Sequence, residues 1–260
     1  MLFQAALPPG PAGTPQTFYT GMRLGDAAFP DRPYVVCNFV SSADGKATAS
    51  GRTALLGGPG DREMFHLLRT QVDAVLAGTG TLRVERYGAL AREQRFVDIR
   101  VQEGRAPHPL AVVISRSGNI PFEIPLFASA ESRVVIYAPP GLDVPACAAQ
   151  VTVHDLPPAA GELAGVLRSL RQEYGVRSML CEGGPTIFSS LLAHDLVDEL
   201  FLTLAPTIVG GAELGITSEP LAELIQLRLV RVLEHDGTLF LRYARAGAAA
   251  RPGRPSQSIA

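Results

Sequence analysis

Apolar and polar positions alternate along this chain in two periods, one of strands and one of helices. Residues 34–40, YVVCNFV, are β-branched and aromatic and predict a buried strand. Pro59-Gly60-Asp61 then opens a helix with Asp61 as its N-cap, and Met64, Leu67 and Leu68 give it an apolar face. Phe65 and Arg69 are four residues apart and share a different face of it. Residues 72–77, VDAVLA, predict the next strand, and 110–115 and 133–138 two more. Leu163, Val166, Leu167, Leu170 and Tyr174 recur at helical spacing, with Gly175 as the stop. Residues 176–181, VRSMLC, form a strand, followed by a helix from Pro185 that buries Ile187, Phe188, Leu191 and Leu192. Residues 199–205 are again a strand, and 226–234 and 238–244 flank Asp236-Gly237, the signal of a type I′ hairpin. Strands alternating with helices, closed by an antiparallel pair, predict an α/β fold: a mixed sheet with helices on both faces.

The ends read differently. Pro8, Pro9, Pro11 and Pro15 predict an extended, poorly ordered start, and GAAARPGRPSQSIA a disordered tail. This divides the chain into an N-terminal arm (1–30), one domain (31–245) and a tail (246–260), with no linker or repeat inside the domain. With 260 residues, 47% of them hydrophobic, one sizeable core is within reach. A net charge of -2 argues against nucleic acid or acidic membranes as partners. Among 23 basic residues only Lys46 is a lysine, so chemistry that needs an amine has one candidate. Cys37, Cys147 and Cys181 are far apart, with no CxxC and no His/Cys cluster. They read as reduced, mostly buried thiols of a cytoplasmic protein without a metal site. No basic, apolar leader opens the chain, and no apolar run reaches the roughly 18–20 residues of a membrane span.

Three stretches carry candidate chemistry. Gly78-Thr79-Gly80-Thr81 follows a strand; two glycines without Cβ atoms and two hydroxyls suit a pyrophosphate, and equally an ordinary tight turn. It is not GxGxxG, because Arg83 stands at the third glycine. Glu182-Gly183-Gly184-Pro185-Thr186 leads from a strand into a helix whose free N–H groups favour an anion; Glu182 either caps that helix or faces a site. In Asn38-Phe39-Val40-Ser41-Ser42-Ala43-Asp44-Gly45-Lys46 an Asx-type turn explains Asp44 and Gly45. It does not explain Asn38, a polar residue in an apolar strand, which must be satisfied there or face a site.

Taken together, NFVSSADGK (38–46), LLRTQVDAVLAGTGTLR (67–83), LCEGGPTIFSSLL (180–192) and VDELFLTLAPTIVGG (197–211) resemble the pyrimidine reductase domain of riboflavin biosynthesis. That domain belongs to the dihydrofolate-reductase-like superfamily. The resemblance covers roughly residues 32–244. It implies a mixed, mainly parallel sheet, a homodimer, and NADPH lying along both glycine stretches: Gly78, Thr79, Gly80, Thr81, Gly183, Gly184, Pro185 and Thr186. Ser115 would lie near the adenosine end, and Arg116 near a 2′-phosphate or in solvent. Asn38, Ser42 and Arg69 would bind substrate, with Arg69 holding its phosphate unless it forms only a surface salt bridge. Asp44 and Glu182 would be the catalytic carboxylates, stabilising a cationic imine. The reaction implied reduces the ribose of a ribosylaminopyrimidine 5′-phosphate to ribityl.

The resemblance has two departures. Where the family has Asp-Asn-Pro, this chain has Val84-Glu85-Arg86-Tyr87-Gly88, with Glu85 in place of the aspartate and Arg86 or Tyr87 free for a phosphate or stacking contact. The HxE and PCxxC zinc signature of the deaminase partner is absent, which restricts the resemblance to the reductase. The altered stretch leaves open reduction of dihydrofolate or another pteridine on the same fold. A non-catalytic NADPH-binding module is a third reading. Absence of tryptophan weighs mildly against a dihydrofolate reductase.

Overall fold

The computed structural model describes residues 1–156 and 162–246. Its strands are β1 (Gln4–Leu7), β2 (Tyr34–Ser42), β3 (Ala74–Gly78), β4 (Leu110–Ile114), β5 (Arg133–Ala138), β6 (Gln150–Asp155), β7 (Ser178–Cys181), β8 (Glu199–Ala205), β9 (Leu227–His235) and β10 (Thr238–Arg245). Its helices are α1 (Pro15–Tyr19), α2 (Pro59–Thr70), α3 (Thr79–Glu85), α4 (Gln94–Gln102), α5 (Glu162–Glu173) and α6 (Pro185–Ala193). The strands make one sheet in the order β1-β9-β10-β8-β2-β7-β3-β4-β5-β6. From β8 to β6 the pairs are parallel. The β9–β10 hairpin, with β1 on its outer edge, is antiparallel.

The alternation of side chains along each strand explains the two helical layers. Val36, Val75, Val113 and Ile136 face a cluster with Met64, Leu67 and Leu68 of α2 and Phe96 of α4. Their neighbours Val35, Cys37, Leu76 and Val112 face Leu163, Val166 and Leu170 of α5 and Phe188 of α6. The mixed sheet with helices on both faces is therefore the fold read from the sequence. Asp236 and Gly237 both have positive φ, 48° and 75°, as a type I′ hairpin requires.

Several elements differ from expectation. The proline-rich start is not a loose arm: β1 pairs with β9, and fully buried Phe3 stacks on His235 at 4.7 Å and meets Phe240 edge-on at 5.0 Å. Its prolines all follow the strand, from Pro8 on, instead of dissolving it. The tail read as disordered lies outside the described residues, apart from Ala246. Asp61 is not the N-cap of α2; Gly58 is, and Asp61 lies in the first turn, its carboxyl raised by burial and partly lowered by Thr203. In α4 the helical period hides an arginine: Arg100, four residues after Phe96, is 1% exposed. Cys37 and Cys181 are buried but Cys147 is exposed, and all three are free thiols. Among the described residues no helix is long and apolar enough to cross a membrane.

Candidate active site

Because β7 is inserted between β2 and β3, the chain parts above the centre of the sheet. Ligands of open α/β sheets bind at such carboxyl ends. A cleft of about 850 Å³ lies there, lined by Asn38 in the middle of β2, Gly78 at the end of β3 and Thr79 after it, Ser115 after β4 and Glu182 after β7. Both glycine stretches reach it. Gly78 N–H donates to the carbonyl of Gly183 at 3.2 Å, joining the stretches side by side. A Cβ on Gly78 would sit 3.0 Å from Ile187, and one on Gly184 3.5 Å from the Thr81 hydroxyl. Gly183, at φ +102°, adopts a backbone that L side chains rarely take. The expected GTGT loop is the first turn of α3. Neither α3 nor α6 has a side-chain cap, which leaves their first N–H groups free on the cleft side.

At the other end of the cleft, residues far apart in sequence form one buried polar cluster. Arg69 grips Glu182 with two parallel bonds, Nε to Oε1 at 2.6 Å and Nη2 to Oε2 at 2.7 Å. Tyr87 donates its hydroxyl to the same Oε2 at 2.6 Å. The guanidinium lies over the ring of Phe65 at 4.3 Å and that of Tyr87 at 4.9 Å, which realises the shared face read from their spacing. Burial works against the Arg69 charge, but the Glu182 carboxylate more than offsets it, so the guanidinium is held more basic than usual. Burial and the Glu182 charge push the Tyr87 phenol well up. Glu182 is thus neither a helix cap nor free. Arg69 is not a surface pair, and the fork expected to hold a phosphate is already filled by a carboxylate.

Other expected residues are placed as follows. Asn38, Glu85, Ser115, Gly80, Thr81, Pro185 and Thr186 line the cleft. Glu85 accepts from the Thr53 hydroxyl at 2.8 Å, tying the end of α3 to the segment after β2. Arg116 leans on buried Glu162 at 3.0 Å. Ser42 and Asp44 do not line the cleft. Ser42 is fully buried and donates to Asp44 at 2.6 Å. Asp44 is exposed and accepts the N–H groups of Val209 at 3.1 Å and Gly210 at 2.7 Å. Expected beside the substrate, it fastens the turn after β8 instead, because that turn supplies donors its side chain can reach.

Among the cleft residues that sequence reasoning missed are Arg62, His66 and Arg92. Arg62 and Arg92 are exposed cations with no ion pair among the described residues. His66 is pushed down to about 4 by burial and by the nearby charge of Arg69, so its imidazole is neutral at neutral pH. The helical spacing of Arg62, His66 and Arg69 placed them on adjoining faces of α2. Only the fold shows that those faces overlook a cleft.

The Asp44 geometry has a measurable consequence. Its carboxyl is lowered to about 2 by Ser42 and by the N–H groups of Val209 and Gly210. A carboxyl depressed on folding stabilises the native state above its unfolded value and loses that contribution as pH falls through the folded one. Urea midpoints of the parent should therefore fall relative to Asp44→Asn between about pH 4 and pH 2. Turnover per folded molecule at pH 7 should change less than twofold in that variant. A hundredfold loss would return Asp44 to the chemistry.

Comparison with known proteins places this geometry. The family model described as "RibD C-terminal domain" matches residues 33–241. A protein of Archaeoglobus fulgidus named 2,5-diamino-6-ribosylamino-4(3H)-pyrimidinone 5′-phosphate reductase is 28% identical over 192 residues, covering 70% of this chain and 84% of the relative. One of the same name from Methanothermobacter thermautotrophicus is 29% identical over 230 residues, covering 83% of this chain and all of the relative. The crystal structure of a pyrimidine reductase-like protein from Corynebacterium diphtheriae superposes with a TM-score of 0.74 at 22% identity, covering 89% of this chain and 98% of that one. At that identity it speaks for the fold.

Proposed function

The chain belongs to the RibD C-terminal domain family, and from that premise we propose that this oxidoreductase uses NADPH to reduce the ribose of a ribosylaminopyrimidine 5′-phosphate to ribityl. The observation that carries the reading is one cleft with a glycine-lined, anion-favouring half and a charged half built on Glu182. The cleft fits a dinucleotide. Gly78, Gly183 and Gly184 leave room that side chains would fill, and the starts of α3 and α6 offer N–H groups to phosphates. The cofactor, when bound, supplies a hydride equivalent to the sugar carbon.

The chain's own residues do the rest. Glu182 brings a carboxylate to the charged half of the cleft, where it stabilises positive charge developing on the opened glycosylamine. Arg69 and Tyr87 lock its orientation. Asn38 offers an amide for orienting the substrate. Arg92 and Arg62, both of which line the cleft, take the 5′-phosphate, since Arg69 is engaged. Following NADPH oxidation with the ribosylaminopyrimidine phosphate and with dihydrofolate tests the substrate. Turnover of only the latter would overturn the assignment, and turnover of neither would overturn the enzyme reading.

Gly184→Val tests the cofactor half. The new side chain points toward Thr81 across the space reserved for phosphates, so NADPH affinity should drop at least tenfold by fluorescence titration, with the melting temperature within a few degrees of the parent. Equal affinity would remove the glycines from cofactor binding. We also propose a homodimer. Ile208, Leu214 and Leu224, all in the segment between β8 and β9, are 72%, 58% and 91% exposed, apolar side chains that a second copy could cover. Light scattering should return twice the monomer mass at micromolar concentration; the monomer mass alone would refute it.

A further inference from the structure

At the opposite end of the parallel strands lies a second cavity, of about 580 Å³. Asp73 before β3, Leu110 and Arg133 at the starts of β4 and β5, and Arg177 before β7 lie in its walls. Arg23, Arg100, Arg105 and His108 join them, facing the carboxylates of Asp26 and Glu103 as well as Asp73.

Those carboxylates are committed. Asp73 accepts from Arg105 at 2.8 Å and from the N–H groups of Arg177 and Ser178 at 2.9 and 3.0 Å. Asp26 pairs with Arg177 at 3.4 Å. Glu103 accepts from the Gln71 amide at 3.1 Å and the Gly21 N–H at 3.0 Å, with Arg105 at 3.6 Å. Among the described residues no ion pair reaches Arg23, Arg100 or Arg133.

Arg100 is the unusual member. It is 1% exposed, and only carbonyl oxygens hold it: those of Ala106 at 2.7 Å, Arg69 at 2.9 Å, Thr70 at 3.2 Å and Val72 at 2.7 Å. Burial, and after it the charge of Arg105, push its guanidinium down to about 10, and the nearby charges of Asp73 and Glu103 offset this only in part. Two further buried nitrogens in the same walls, Arg105 Nε and His108 Nδ1, have no hydrogen-bond partner. Buried polar groups of native proteins are nearly always satisfied, so the unfilled Arg105 Nε–H beside surplus positive charge points to an acceptor that arrives with the ligand.

We propose that this cavity binds a small sugar-like phosphomonoester, its phosphate taken by Arg23, Arg100 and Arg133. A dianion matches the surplus cations. The volume falls in the range of small-molecule sites, and the committed carboxylates with Tyr174 give hydroxyl-bearing ligands polar walls. The site also touches the cleft mechanically: Arg100 holds the carbonyl of Arg69, whose side chain holds Glu182.

Calorimetry on the full chain, with ribose 5-phosphate, inorganic phosphate and ribose as probes, tests this without any turnover. The variant Arg23→Ala/Arg133→Ala removes two exposed side chains and should fold as the parent does, checked by circular dichroism. The parent is expected to bind one more equivalent of ribose 5-phosphate than this variant, or to bind it at least tenfold more tightly, while ribose binds neither. Inorganic phosphate competing as well as ribose 5-phosphate would keep the site and assign it to the bare anion. Identical stoichiometry and affinity in parent and variant would overturn the proposal, and so would binding of ribose as strong as that of its phosphate.

Discussion

Glu182→Ala should cost this protein about 3–5 kcal/mol of stability, because removing one partner of a buried pair leaves the other charge buried and unmatched. Arg69 and Glu182 expose only 6% and 1% of their side chains, so solvent cannot take over the lost partner. Tyr87 loses its acceptor in the same step. Domains are typically stable by about 5–15 kcal/mol, so the loss is a large share, worth roughly 6–20 °C in melting temperature. Glu182→Gln keeps the volume and one acceptor oxygen and should lose less. Replacing both partners with apolar residues, Arg69→Met/Glu182→Leu, should recover much of the stability but none of the activity. That split separates the two roles of Glu182. If its carboxylate stabilises the cationic substrate, Glu182→Gln lowers kcat per folded molecule by about 10²–10³. Urea midpoints and single-turnover rates of the three variants decide the matter. A Glu182→Ala protein as stable as the parent would mean the pair is not what holds this wall of the cleft.

Arg92→Ala should raise KM for the phosphorylated substrate by about 10–100-fold with a smaller effect on kcat, since a charge-assisted hydrogen bond is worth roughly 1.5–3 kcal/mol. Arg69 has spent its fork on Glu182, whereas Arg92 is exposed and reaches to 3.8 Å from where a Cβ on Gly88 would stand, at the cleft wall. A substrate analogue without its phosphate should bind parent and variant alike, and the difference between them should shrink with added salt. Arg62→Ala should act in the same direction, more weakly. An unchanged KM in Arg92→Ala would give the phosphate back to Arg69 and require the Arg69–Glu182 pair to open on binding.

The local pattern carried most of the architecture. Continuous apolar, β-branched runs such as YVVCNFV and RVVIYA were readable as buried strands because helices cover both faces of the sheet. The hairpin was readable because Asp236-Gly237 tolerates two positive φ values. The glycine stretches announced a cleft at strand ends, where missing Cβ atoms have a local meaning. The start of the chain was misread, because the partners that order it, β9 and Phe240, lie more than 200 residues away and prolines are the stronger local signal.

Charged side chains were decided by the fold alone. Asp44 and Glu182 both follow strands and looked equivalent, but a carboxylate's role depends on which donors surround it. For Asp44 those are the N–H groups of Val209 and Gly210, and for Glu182 they are Arg69 and Tyr87. Arg100 shows the same limit, an arginine at an apolar position of its helix, paired with the carbonyls that end α2. Hydrophobic burial follows a residue's own periodicity and can be read along the chain. A hydrogen bond needs a partner at about 3 Å, and when that partner is a hundred residues distant only tertiary packing brings it there.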